Sequence, residues 1–256
     1  MAWKPEQKNR FTVIEKRTGK VSKVEIVSET AFSFVHFTNC WEENDEIVFD
    51  ILASTSIDIM DYGILANLRK GTGLEPELLP KLKRFYIPIS ILDGLSACEE
   101  NVNLLKNQGH GSATAIKKQS KLVLEPNTMC NVGMEGYVIN GHYYKKPYRY
   151  LWASGAAGFN KDFNKLFKVD LHTGEVISLN GTTNQYFTEP KFIPDPKGRD
   201  EDSGVLMLVC HHIFHREEEK DFLLILDAKN LEEKARAEFD MTVPFCFHSQ
   251  FTPPSF

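Results

Sequence analysis

The feature that most constrains this chain is a hairpin pattern that occurs three times. Residues 11–26 read FTVIEKRTGKVSKVEI, residues 166–179 read LFKVDLHTGEVISL, and residues 222–239 read FLLILDAKNLEEKARAEF. In each, a run of β-branched and aromatic residues ends at an acidic side chain, Glu15, Asp170 or Asp227. A short polar turn follows, and then a second run. A carboxylate at that place can accept hydrogen bonds from turn amides, and Gly19 and Gly174 supply the positive φ that a tight turn needs. Repeated antiparallel hairpins with other strands between them suit the blades of a β-propeller. A sandwich or a barrel repeats hairpins too, so the pattern alone leaves those architectures open.

The rest of the chain agrees with an all-β fold. Helical periodicity is confined to residues 60–69 (MDYGILANLR) and, more weakly, to residues 99–106. The stretch Gly71–Asn131 scatters Gly, Pro and Lys and predicts long connections leaving one face of the sheets, where loops often cover a site. The 18 Phe and 8 Tyr fit strands, and fit an apolar cavity as well. Net charge is −5 and no basic stripe is present, which argues against a nucleic-acid surface. No apolar run approaches the roughly 18 residues of a membrane span, and the opening MAWKPEQKNRF has no signal-peptide core. Five scattered cysteines without a CxxC pair suggest reduced thiols in an intracellular, cytoplasmic protein.

Histidine is the residue type with most chemical promise. His211, His212 and His215 form HHxxH at the end of the run GVLMLVC. On a strand His211 and His215 share one face and His212 the other, and the zinc-helix pattern H-E-x-x-H is absent. A solvated strand end is the expectation there, and His110, His142 and His172 are expected at the surface. His36, in FSFVHFTNCWEEND, and His248, in VPFCFHSQF, differ because aromatic residues surround them. Taken singly, each fits a hydrogen-bonded core histidine.

Taken in order along the chain, these segments resemble the motifs of the carotenoid cleavage oxygenases. V-H-F-T-N-C-W-E-E-N at 35–44 is similar to that family's F-H-x-x-N-x-(aromatic)-E-(acidic)-N. PYRYLWASG at 147–155 resembles a K-P-Y-x-Y strand, and FTEPKFIPDP at 187–196 the S-E-P-x-F-x-P element, with Thr for Ser. LLILDAKNLEEKARAEF is similar to the L-x-x-L-x-A-x-x-L-x-x-x-A-x-A hairpin, and V-P-F-C-F-H at 243–248 to the closing P-x-x-F-H. W-K-P-E and R-F-x-V-I near the start also match. The likeness spans nearly the whole chain and is nearest to the animal branch of β-carotene oxygenases and the retinoid isomerase.

The resemblance implies about the C-terminal half of a seven-bladed β-propeller, residues 1–256 forming part of one domain. It implies an Fe(II) enzyme that uses dioxygen to cleave a double bond of a carotenoid or apocarotenoid. In that family four histidines from different blades hold the iron. By motif position His36 and His248 are the third and fourth, while Glu135 (in GMEGY) and Glu189 (in TEP) accept the outer N–H of ligating imidazoles. Neutral imidazoles suit Fe(II), and a carboxylate behind an imidazole fixes its tautomer. No histidine precedes His36, so the first two ligands belong to a family half this chain is expected to lack. Two other readings remain: a retinoid isomerohydrolase on the same scaffold, and a non-catalytic ligand-binding or interaction propeller. Apolar substrates would suit peripheral membrane contact.

Overall fold

The computed structural model describes residues 3–57, 75–106, 109–155, 164–182, 184–212, 219–244 and 248–252. Within these, regular structure is β-strand and short 3-10 turns, and no helix is long and apolar enough to cross a membrane. The chain divides into two compact units, one of residues 1–57 and 81–131, the other of residues 58–80 and 132–256.

The first unit holds β1 (Arg10–Phe11), β2 (Glu25–Ser28), β3 (Ser33–Glu43), β4 (Glu46–Ser54), β5 (Lys81–Pro88), β6 (Thr114–Lys118), β7 (Lys121–Glu125) and β8 (Asn127–Thr128). They form two four-stranded sheets, ordered β1-β2-β7-β6 and β3-β4-β5-β8. The second unit holds β9 (Met134–Val138), β10 (Tyr150–Gly155), β11 (Lys165–Asp170), β12 (Val176–Asn180), β13 (Gln185–Phe187), β14 (Lys191–Pro194), β15 (Gly204–His212), β16 (Phe222–Asp227) and β17 (Glu233–Glu238). Its sheets run β12-β11-β10-β9 and β13-β15-β16-β17, and β14 also pairs with β15. Among the described pairings β2–β7 is parallel and the others are antiparallel.

All three predicted hairpins form, and they share one turn. The amide of the acidic residue donates to the carbonyl five residues on: Glu15 to Lys20, Asp170 to Glu175, Asp227 to Glu232. The amide four residues on donates back to that acidic residue's carbonyl, from Gly19, Gly174 and Leu231 respectively. The donor of that returning bond has a left-handed backbone in every case, with φ of 73°, 75° and 62°. Leu231 therefore adopts the conformation that glycine adopts in the other two, and its side chain is buried in the second unit's core. That burial, worth about 1.5–3 kcal/mol, offsets the roughly 1–2 kcal/mol cost of a left-handed leucine.

Each unit is closed by an apolar interface between its two sheets. In the first, Ile26, Leu122, Leu124 and Ala115 meet Phe49, Ile51, Phe85 and Ile87. Phe49 and Phe85 stack at 5.0 Å, and Phe11 lies 5.3 and 5.4 Å from them. Much of the phenylalanine is thus sheet core. In the second, Trp152 and Leu166 pack against Phe187, Leu206, Leu208 and Leu224. The indole N–H of Trp152 donates to the Ala228 carbonyl at 2.9 Å, so this fully buried ring leaves no donor unpaired.

Some expectations need correction. Residues 99–106 are not helical: Asn101 has a φ of 61°, and the Asn103 side chain accepts the Ala115 amide at 3.0 Å, which ties the segment to β6. Residues 60–69 lie outside the described residues. The stretch 71–131 contains β5 to β8 as well as connections. His110 is buried, its Nε2 2.7 Å from Glu46 Oε2. His211 and His212 are also buried rather than solvated, and His215 lies outside the described residues. His142 and His172 are exposed, as expected.

The turn carboxylates make acid unfolding predictable. Asp170 takes a forked contact from Arg149 at 2.7–3.1 Å and the amides of His172 and Thr173. The Arg149 guanidinium, helped by those amides and opposed by burial, lowers its carboxyl from 3.8 to about 2. A depressed carboxyl contributes stability that is complete above its unfolded value and is lost as pH falls through the folded one. Urea titrations should show Asp170→Asn less stable by about 1–3 kcal/mol at pH 7. The wild type should then lose more stability than the variant as pH falls from 3.8 toward 2. Parallel pH profiles would remove Asp170 as a source of the effect.

Candidate functional site

An antiparallel ladder has a side-chain period of two, so an extra residue in one strand reverses which face its neighbours occupy. Three of the four predicted site residues, His36, Glu135 and Glu189, stand at or beside such places. Along β3, Phe34 pairs with Ala53, Phe37 with Ile51 and Asn39 with Asp50. Three steps face two, and then two face one, so β3 carries one extra residue between Phe34 and Phe37, where His36 lies, and another between Phe37 and Asn39. The burial pattern follows: Phe34 and Val35 are exposed in succession, Thr38 and Asn39 buried in succession, with His36 half-buried and its Nδ1 atom buried. The motif's remaining residues have structural work. Asn44 and Asp45, at φ of 50° and 63°, make the two-residue turn from β3 to β4.

In the second unit Ala153 pairs with Tyr137 and Ser154 with Glu135, so Gly136 is the extra residue of a bulge. Its φ is 57°, and a Cβ there would lie 2.9 Å from Ser154 Oγ and 3.4 Å from the Glu189 Cβ. Glycine is needed for both the backbone and the close approach. Glu135 thereby sits next to a glycine whose missing Cβ would lie against Glu189.

Glu189 stands at a third irregularity. Phe187 pairs with Cys210 and Lys191 with Met207, so four steps face three. Thr188 keeps the break satisfied: its amide donates to the Val209 carbonyl at 3.0 Å, and its hydroxyl accepts the Val209 amide at 3.0 Å. Pro190 has no N–H to leave unpaired. The Ser154 hydroxyl lies 3.3 Å from the Thr188 carbonyl and 3.4 Å from that of Gly136, joining the two segments that bear Glu189 and Glu135.

The structure brings Glu189 and His248 together: Oε2 lies 2.7 Å from Nδ1. The Glu189 side chain is 10% exposed and that of His248 64%. Lys191 Nζ contacts the other oxygen, Oε1. Two phenols crowd the carboxylates. Burial first, then the charges of Tyr144, Glu189 and Glu135, push Tyr137 up to about 12, and burial followed by Glu189 raises Tyr144. Both stay protonated at neutral pH. Asp221 Oδ2 accepts the Val243 amide at 3.0 Å and lies 3.2 Å from His211 Nδ1. Burial would raise the Asp221 carboxyl, but the amides of His212 and Val243, with His211, outweigh it and hold it below its ordinary value. His36 belongs to the first unit, and Glu135, Glu189 and His248 to the second.

An Nδ1–H donated to Glu189 puts the His248 lone pair on Nε2, the tautomer that a metal-binding imidazole needs. Imidazole nitrogens with an outer carboxylate fit a divalent first-row metal. Among the described residues no group of three or more His, Cys, Asp or Glu side chains is placed to hold one.

Sequence reasoning missed Lys191, Gly136 and Ser154. Lys191 had a signal, since residues i and i+2 share a face in extended chain. Gly136 beside a predicted site carboxylate also hinted at a bulge.

Residues 1–253 match the family model described as retinal pigment epithelial membrane protein. The chain is 31% identical over 256 residues to the mouse β,β-carotene 15,15′-dioxygenase, covering 99% of this chain and 44% of that protein. It is 29% identical over 267 residues to the human mitochondrial carotenoid-cleaving dioxygenase, with 99% and 44% covered. Among solved structures it is similar to a variant of the Synechocystis apocarotenoid oxygenase, with a TM-score of 0.71 and 20% identity over 96% of this chain and 44% of that one. The cobalt-substituted form of the same oxygenase gives the same TM-score. The chain thus spans about half the length of the curated relatives it matches. Its all-β fold is that of these propeller enzymes, of which it covers 44%.

Gly136→Ala should destabilise by about 1–2 kcal/mol from its left-handed backbone, plus the clash with Ser154. Adding Ser154→Ala removes the nearer obstacle. Urea unfolding of the four proteins of this cycle should show the double variant losing less than the sum of the single changes. Strict additivity would mean that the 2.9 Å approach is not what requires glycine.

Proposed function

This chain belongs to the family described as retinal pigment epithelial membrane protein, and on that premise we propose that it contributes to an Fe(II)-dependent dioxygenase cleaving a double bond of a carotenoid or apocarotenoid. The activity is that of a protein long enough to carry the whole ligand set, since this chain spans 44% of the dioxygenases it resembles. The observation that carries the proposal is the 2.7 Å contact of Glu189 Oε2 with His248 Nδ1, the contact expected behind an imidazole that ligates through Nε2.

His36 and His248 are the ligands this chain contributes, both as neutral imidazoles. Glu189 stands behind His248, and Glu135 is an outer carboxylate of the same kind. Their work is to fix which nitrogen bears the proton and to hold the ring in place. The protonated phenols of Tyr137 and Tyr144 add no further negative charge beside these carboxylates. Phe34, Val35 and Phe37, all exposed and next to His36 in β3, offer an apolar surface suited to a polyene. Iron(II) held there supplies dioxygen activation, through which the two oxygen atoms add across one carbon–carbon double bond and give two carbonyl fragments. The cobalt-substituted neighbour supports a divalent metal on this fold. Apolar substrates also favour contact with a membrane surface.

The test uses the longest natural form of the protein. His248→Ala and His36→Ala should each abolish iron retention and cleavage, while Glu189→Gln should lower iron affinity about 10–100-fold. Iron content by elemental analysis and product identity by mass spectrometry read both. Unchanged iron and cleavage in either histidine variant would remove its assignment. Offering carotenoids and retinyl esters side by side separates cleavage from a retinoid isomerohydrolase, because the first gives shortened carbonyl products and the second an isomerised alcohol.

A further inference from the structure

Glu189 sits where the ladder is broken, so no strand pairing fixes its side chain. What fixes the carboxylate is a pair of partners, one on each oxygen: His248 Nδ1 on Oε2 and Lys191 Nζ on Oε1. The two partners differ in how firmly they are held. His248 lies outside the strands and its side chain is 64% exposed. Lys191 opens β14, where its backbone is paired with Met207, and its side chain is 24% exposed. Two residues apart in extended chain, Glu189 and Lys191 project to the same side. The firmly held partner is therefore the lysine.

We propose that Lys191 is a positioning residue for the metal centre, one that occupies Glu189 Oε1 and so turns the carboxylate plane until Oε2 meets the Nδ1–H of His248. The inference rests on the reading of His248 as a ligand. A lone hydrogen bond from an exposed imidazole leaves a carboxylate free to rotate about its terminal bond. A second, charge-assisted contact on the opposite oxygen removes that freedom. The His248 tautomer then has one stable answer, with the proton on Nδ1 and the lone pair on Nε2. The charge of Lys191 acts in the opposite sense, because a cation near a divalent ion weakens its binding. The two effects predict opposite signs when the lysine is removed. The proposal commits to the first: orientation outweighs repulsion.

The experiment measures Co(II) and Fe(II) affinity by chelator competition in the longest natural form, for wild type, Lys191→Met, Lys191→Arg, Glu189→Gln and His248→Ala. Lys191→Met should bind about tenfold more weakly, and Lys191→Arg, which keeps a charged donor, should recover most of the loss. In the metal-free protein, histidine ¹⁵N NMR should report the Nδ1–H tautomer of His248 in wild type and a growing Nε2–H population in Lys191→Met. A merely structural lysine would not move that tautomer. If Lys191→Met fails to fold by circular dichroism, Lys191→Gln replaces it with the same expectations. Affinity equal to or tighter than wild type in the folded variant would overturn the proposal. Should Glu189→Gln and His248→Ala also bind metal normally, the reading beneath it fails as well. If those two lose metal and Lys191→Met does not, the inference alone fails.

Discussion

The two-residue period of the β-ladder is the constraint on which the rest of this molecule depends. Where it holds, it sorts side chains cleanly: Ile26, Leu122 and Leu124 point into one sheet interface, and Leu206, Leu208 and Leu224 into another. Where an extra residue enters, the sorting reverses, and a polar or aromatic side chain is redirected out of the pattern. His36, Glu135 and Glu189 are each at or beside such an insertion. The scaffold and the candidate site therefore come from one device used in two ways. Blades need unbroken register to bury their faces, and the site needs register broken at chosen points.

Each break is kept inexpensive by local chemistry. Gly136 takes the left-handed conformation at the β9 bulge. Thr188 replaces a lost ladder acceptor with its own hydroxyl, and Pro190 brings no donor to the gap. The Ser154 hydroxyl ties two of the breaks to each other. Polar groups that would be left without partners in a disrupted ladder are thus mostly satisfied, which lets the distortion persist without unravelling the strands around it. Asp221 does similar work further along, holding the amides of His212 and Val243.

The hairpins were legible because their determinants are local: an acidic residue, a polar turn and, twice, a glycine. The third hairpin shows the limit of that reading. Leu231 takes the glycine conformation because its side chain finds a core to enter, and that core is assembled from β10, β11, β13, β15 and β16. The buried histidines failed for the same reason. Nothing near His110 in sequence announces Glu46, and the burial of His211 depends on Asp221 across a connection. The four site residues came from ordered motif resemblance, not from their own surroundings, since a histidine among phenylalanines fits a core as well as a metal. What the sequence could not express is the geometry of the carboxylate: that Glu189 is shared between His248 and Lys191 follows only once the break between β13 and β14 has been placed.

The account's central claim is that His36 and His248 ligate iron through Nε2, the second with its Nδ1 proton fixed by Glu189. The most direct measurement is a crystal structure of the iron-loaded, longest natural form, with the metal located by anomalous scattering at the iron edge. The account predicts one iron peak in bonding contact with Nε2 of both histidines, with Glu189 Oε2 still on His248 Nδ1. A peak that touches neither histidine, or bonding through Nδ1 of His248, would contradict it.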